Sequence, residues 1–155
     1  MVVWDKNLDA LEWDLLLNAA WRAWENAYAP YSGFRVGAAI YLENGAVATG
    51  CNVENAAYPV SLCAERTALC SAVAQEGIQF GQIAALAIVT EAKGLTPPCG
   101  ACRQALAEFA EKLPILLANR NHRKLYDLER LLPSAFTGRS LSKQPESPNS
   151  EVRDA

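Results

Sequence analysis

Large apolar side chains recur at Trp13, Leu17, Trp21, Trp24 and Tyr28, in steps of three or four, and this spacing predicts an amphipathic helix over residues 8–28. Asn7 or Asp9 stands where a helix cap belongs, and the helix must stop before Pro30, because the residue preceding a proline is pushed out of the helical region. The tryptophan stripe reads as packing surface. Beyond Tyr31-Ser32-Gly33, a turn, the chain reads as strand at 36–42 and 46–53, with Glu43-Asn44-Gly45 between them as a tight hairpin turn. Residues 63–74 are strong helix formers, 83–90 is an unbroken apolar run of strand length, and 99–112 is again helical. A buried strand at 114–119, a short strand at 124–126 and a helical turn at 128–132 complete the pattern.

Apolar strands alternating with helices predict a sheet covered on both faces: an α/β fold, specifically a three-layer α/β/α sandwich with a mixed five-stranded sheet that begins as an antiparallel hairpin. The polar stretch SLSKQPESPNSEVRDA, with two prolines and little to bury, predicts a disordered tail at 140–155 behind one domain at 1–139.

Composition adds exclusions. At 155 residues, 51% hydrophobic and 20% charged, the chain has the make-up of a single globular domain. It has no apolar run of eighteen residues, and Asp5, Asp9, Glu12 and Asp14 stand where a leader would need basic and then apolar residues, so the expectation is a cytoplasmic protein with no membrane partner. A net charge of −3 speaks against nucleic acid, whose phosphates call for clustered Lys and Arg, and favours a small neutral ligand.

The chemistry is announced by the cysteines. Five is an odd count, and two of them form Cys99-x-x-Cys102, which in a chain of this class points to metal or catalysis before disulfides. Cys63-Ala64-Glu65 opens one predicted helix and Pro98-Cys99-Gly100-Ala101-Cys102 opens another, so three thiols can converge. Zinc takes tetrahedral sulfur and nitrogen ligands, and a catalytic site uses three from the protein and leaves the fourth position to water. A helix N-terminus favours the thiolate that a metal requires. Three thiolates leave a net negative charge around the ion, which Arg66 or Arg103 can offset by hydrogen-bonding a sulfur; Arg66 is the better candidate. Glu65, two residues from a proposed ligand, points off the metal axis, where one carboxylate can take a proton from water and return it to a leaving group.

The plainer reading of Cys99-x-x-Cys102 alone is a closed zinc knuckle or a redox pair. A knuckle needs a fourth protein ligand. Cys51, inside a predicted strand, and Cys70, in the middle of a predicted helix, read instead as buried small apolar residues. His122 sits in a polar loop and reads as solvated. Asn52 and Glu54, at i and i+2 of a predicted strand, face the same side; by themselves they are a solvent-facing pair at a strand end.

Taken in order, Tyr28-Ala-Pro-Tyr-Ser-Gly-Phe34-Arg-Val-Gly37, Gly50-Cys-Asn52-Val-Glu54-Asn-Ala-Ala-Tyr58, Cys63-Ala-Glu65-Arg66-Thr-Ala-Leu, Pro98-Cys99-Gly-Ala-Cys102-Arg-Gln and Leu131-Leu-Pro-Ser-Ala-Phe136 closely resemble the small homotetrameric cytidine deaminases, across roughly residues 21–136. Three sulfur ligands, a Pro-Cys-x-x-Cys element and a glutamate that is not a ligand are the signature of the zinc deaminases. The resemblance implies hydrolytic deamination of cytidine and 2′-deoxycytidine in pyrimidine salvage, with Zn²⁺ on Cys63, Cys99 and Cys102 and Glu65 moving protons. It implies that Asn52 and Glu54 hold the ribose 3′-hydroxyl, that Phe34 packs on the pyrimidine, that Tyr58 lies near ligand and subunit contacts, and that the backbone of Ala64 and the carbonyl of Cys99 meet the base. It further implies a homotetramer in which Phe136 reaches the base in a neighbouring subunit. Phe34 and Phe136 also suit a core. A deaminase of another aminopyrimidine nucleoside, such as blasticidin S, and a structural zinc module are the alternatives. The tryptophan-rich first helix and the polar tail depart from the family pattern and leave the motifs intact.

Overall fold

Asp9 opens the first helix, α1 (Ala10–Glu25), with a reciprocal cap: its side chain accepts from the Glu12 amide at 2.8 Å while the Glu12 carboxylate accepts from the Asp9 amide at 2.8 Å, so two donors that the helix would leave unpaired are satisfied. The computed structural model describes residues 8–141, apart from the side chains of Leu11 and Arg139. Helix α1 ends at Glu25, short of the 8–28 expected. Tyr28 is drawn out of it by a distant partner: its amide donates to the Asn52 carbonyl and its own carbonyl accepts from the Glu54 amide, forming a bridge beside Val53.

Strands β1 (Val36–Leu42) and β2 (Val47–Cys51) form the expected hairpin, with Gly37 opposite Cys51 and Tyr41 opposite Val47. Strand β3 (Ile83–Thr90) pairs antiparallel on the other side of β1, β4 (Pro114–Ala118) lies parallel to β3, and β5 (Arg123–Asp127) closes the sheet antiparallel to β4. The order is β2-β1-β3-β4-β5, a mixed five-stranded sheet as the pattern predicts.

Helix α1 covers one face, and α2 (Ala64–Glu76) with α3 (Gly100–Ala107) covers the other. Every residue of β3 is buried, and large and small side chains alternate over residues 85–88. Leu86 and Ile88 join α2 and α3 in one cluster, while Ala85, Ala87 and Val89 meet α1 in the other. Those alanines make room for Trp13, Trp21 and Trp24, so the tryptophan stripe is packing surface, as expected. Its outer edge is capped by Arg120, whose guanidinium lies 3.8 Å from the Trp21 ring centre and pairs with Glu91 at 2.8 Å.

Two glycines set how closely the layers approach. A Cβ at Gly37 would lie 2.1 Å from the Ala20 carbonyl oxygen of α1, and one at Gly50 would lie 2.2 Å from the Ala68 amide and 2.6 Å from the Ala64 carbonyl oxygen of α2. The obstacles are helix backbone, which cannot rotate away. Gly50→Ala is therefore expected to destabilise the fold by about 3 kcal/mol, the upper part of the range for overpacking. Urea unfolding reads this directly, and an unshifted midpoint would show that α2 is not seated on β2 at Gly50.

Helix α3 stops at Ala107, not near Lys112. The Phe109 carbonyl is taken by the Gly81 amide at 2.8 Å, which turns the chain back toward β4 before the helix can continue. Strand β2 likewise ends at Cys51, so the strand expected at 46–53 is two residues too long at its end, and Asn52 and Glu54 lie in an irregular segment. Helix α4 (Leu128–Leu131) follows β5 directly, and a 3₁₀ turn at Gly138–Leu141 includes the first two residues of the expected tail. The rest of that tail lies outside the described residues. Among them, no helix is long and apolar enough to cross a membrane.

Candidate active site

Cys63 is the N-cap of α2 and Cys99 the N-cap of α3, and neither side chain hydrogen-bonds its own helix. In the position where Ser, Thr, Asp or Asn ordinarily satisfies the first amides, each helix places a sulfur that remains free to bind something else. Cys102 lies one turn into α3 and is fully buried. The Cys63 and Cys99 sulfurs are 3.8 Å apart and those of Cys99 and Cys102 3.4 Å, with all three sulfurs within 4.8 Å of one another. Sulfurs bound to one zinc at the usual bond length span tetrahedral edges of about 3.8 Å. The spacing fits that ion.

The electrostatics fit it as well. A hydrogen bond from Cys102, opposed by burial and reinforced by Arg66 and Cys99, draws the Cys63 thiol down to about 5. The Cys63 sulfur, together with burial and the Glu65 charge, holds Cys102 well above the ordinary thiol range. Three thiolates and a carboxylate cannot all be ionised in this space without a cation among them. Arg66 supplies part of the charge: its Nη2 lies 3.9 Å from the Cys63 sulfur and 3.4 Å from the Ser61 carbonyl oxygen, while its buried Nε has no acceptor among the described residues. Arg103, the other cation considered, turns away from the sulfurs and donates to the Pro98 and Leu131 carbonyls, both at 2.8 Å. Protons and cation compete for the sulfurs. Zinc affinity should accordingly weaken steadily as the pH falls, because zinc must displace the proton that Cys102 keeps, and more steeply below about 5, where the Cys63 thiolate takes up its own; zinc retained after dialysis across a pH series measures this, and affinity independent of pH would contradict the three-thiolate set.

Glu65 occupies the first turn of α2 and is only 5% exposed. Burial pushes its carboxyl above the usual range, and the negative Cys63 sulfur adds to this. A carboxyl raised in this way lies closer to the working pH, where a group accepts and donates a proton most effectively. Ala64, the first residue of α2, is fully buried, and no side chain caps the amides of that turn.

Asn52 and Glu54 both turn toward the segment 31–36. Asn52 Nδ2 donates to the Phe34 carbonyl at 2.8 Å, and its Oδ1 accepts from the Val36 amide at 2.8 Å, so the side chain brackets Arg35 and fixes Phe34. The Glu54 carboxylate accepts from the amides of Tyr31 at 2.8 Å and Ser32 at 3.2 Å and from the Ser32 hydroxyl. The Ser32 hydroxyl, outweighing slight burial and assisted by those amides, holds Glu54 below the ordinary carboxylate range. Tyr58 is exposed and meets Tyr31 edge to face, ring centres 5.8 Å apart. Tyr31, Ser32, Glu54, Tyr58 and Ser61 line an open cleft of about 300 Å³. The part played there by Tyr31 and Ser32 has no local sequence signal beyond the turn they form. Phe34 and Phe136 are both exposed, which answers the suggestion that they are core. Cys70 is exposed and Cys51 half-buried, a correction to their expected burial, and neither joins the sulfur cluster. His122 is exposed.

A family model described as the cytidine and deoxycytidylate deaminase zinc-binding region matches residues 12–117. Among curated proteins, cytidine deaminase from Sporosarcina psychrophila is 45% identical over 123 residues, covering 78% of this chain and 88% of that protein. Cytidine deaminase from Halalkalibacterium halodurans is 42% identical over 130 residues, covering 83% and 96%. The crystal structure of cytidine deaminase from Burkholderia pseudomallei aligns at a TM-score of 0.76 and 48% identity, covering 79% of this chain and 98% of that one.

Proposed function

The chain belongs to the cytidine and deoxycytidylate deaminase family, and from that premise we propose that it hydrolyses the exocyclic amine of cytidine and 2′-deoxycytidine, releasing ammonia. The observation that carries this reading is the set of three sulfurs at two helix N-termini beside a buried carboxylate, Glu65. When bound by Cys63, Cys99 and Cys102, zinc supplies Lewis acidity that makes a water molecule reactive near neutral pH. Glu65 accepts a proton from the attacking water and delivers it to the pyrimidine ring nitrogen as oxygen adds at C4; it then passes the second proton to the departing amine, which leaves as ammonia. One carboxyl thus serves as base and then as acid. Arg66 offsets the charge of Cys63 and keeps that sulfur from accumulating the full negative charge of the set.

Glu54, held ionised by Ser32 and the Tyr31 and Ser32 amides, accepts from the ribose 3′-hydroxyl, and the Asn52 amide donates to it. Because Asn52 also grips the backbone on both sides of Arg35, it sets the position of Phe34 against the base. The Ala64 amide and the Cys99 carbonyl lie at the helix starts where the base's carbonyl and amine would be read. The exposed Tyr28, Tyr31, Tyr58 and Phe136, with Val60 and Leu62, support a closed homotetramer in which Phe136 covers the base in a neighbouring site. The reading extends to a cytoplasmic enzyme of pyrimidine salvage. Following the fall in absorbance as cytidine, deoxycytidine, blasticidin S and cytosine are offered in turn, with and without a chelator, tests it. The expected result is chelator-sensitive turnover of the first two; preferential turnover of blasticidin S, or four sulfurs and no oxygen around zinc in X-ray absorption, would overturn it.

A further inference from the structure

Helix α3 carries two of the three thiols, and the two residues that follow Cys102 both reach out of the helix to distant carbonyls. Arg103 donates to Pro98 and to Leu131, each at 2.8 Å, and Gln104 Nε2 donates to the Phe136 carbonyl at 2.7 Å. The residues next to a fully buried sulfur therefore hold both ends of the segment 131–136. Within that segment Ser134 has φ of 57°, a left-handed conformation that a residue with a side chain adopts only where its surroundings impose it. Beside it is an open cleft of about 520 Å³ whose walls include Phe80, Leu128, Leu132, Ser134 and Ala135. The segment thus borders open space at Leu132, Ser134 and Ala135, and the hydrogen bonds from α3 take a larger share in placing it. At its end the Phe136 ring is 59% exposed.

We propose that Gln104 is a positioning residue for the reaction: it aims the Phe136 ring at the pyrimidine in a neighbouring subunit and ties that aromatic cover to the helix turn that binds zinc. The proposal rests on the reading in which Phe136 completes a site in trans. Without the Gln104 amide the ring is still present but its backbone is no longer held, and its contact with the base is weakened equally in the bound substrate and in the transition state. Such a loss of uniform binding raises KM and leaves kcat nearly unchanged.

The experiment is a double-mutant cycle on the zinc-loaded full chain: Gln104→Ala, Phe136→Ala and the pair, with zinc content and assembled mass measured for each. Gln104→Ala is expected to raise KM for cytidine about fivefold, the equivalent of one net hydrogen bond, with kcat, zinc and mass unchanged, and to add nothing in the Phe136→Ala background. Gln104→Glu, equal in size but lacking the donor, should reproduce Gln104→Ala. Equal KM effects of Gln104→Ala in both backgrounds, or wild-type KM for Gln104→Ala beside a raised KM for Phe136→Ala, would overturn the proposal alone. Wild-type KM for Phe136→Ala would instead remove the trans reading, and the proposal with it.

Discussion

Glu65→Gln is expected to retain one zinc per chain and to lower kcat by about 10⁴-fold, the top of the range for a single acid–base group, because one carboxyl serves two proton transfers. The substitution keeps the size and shape of a side chain that is 5% exposed, so neither the packing of α2 nor the three sulfurs should move. Measuring bound zinc and turnover on the same preparation separates chemistry from structure. Full activity in a zinc-replete Glu65→Gln enzyme would remove Glu65 from the mechanism. Loss of zinc along with activity would show that the carboxylate is needed for the site itself.

Cys99→Ala is expected to lose zinc, with turnover falling to background, and to lower the melting temperature. Cys99 is exposed, so removing its sulfur opens no core cavity, and any loss of stability reports the metal. An ion present at a thousand times its dissociation constant stabilises the folded state by about 4 kcal/mol. In a domain of this size that corresponds to about 10 °C. Chelated wild type and Cys99→Ala should therefore melt together, about 10 °C below the zinc-loaded enzyme. A Cys99→Ala protein that keeps its zinc and its melting temperature would contradict the three-sulfur site. Cys102→Ala gives a useful contrast: that sulfur is fully buried, so its melting temperature should fall below that of chelated wild type.

The places where local pattern and structure part share a cause. Helix α1 shows its apolar stripe up to Tyr28, yet the helix ends three residues earlier because Tyr28 pairs with residues 52–54. The run Ala-Leu-Ala-Glu-Phe-Ala-Glu-Lys after Gln104 contains no helix breaker, yet α3 stops at Ala107 because Gly81 claims the Phe109 carbonyl. In both cases the partner lies more than twenty residues away, beyond the reach of any local signal. Arg66 and Arg103 make the same point within the site. Each is adjacent to a residue of the metal constellation in sequence, but only Arg66 meets a sulfur, because Arg103 satisfies two carbonyls instead.

The layered α/β plan, the hairpin that begins the sheet, the three thiols with their neighbouring glutamate, and the family are all legible in the order of residues. Apolar periodicity, turn chemistry and metal-ligand type are properties of residues and their spacing, and they survive without coordinates. What each polar side chain does emerges when these elements pack: Asn52 brackets Arg35, Glu54 draws in the 31–32 turn, Cys63 and Cys99 leave their helices without a side-chain cap, and Gln104 holds the chain at Phe136. A polar group bonds whichever partner the packed layers bring within about 3 Å, and which partner arrives is a matter of how distant segments lie against one another.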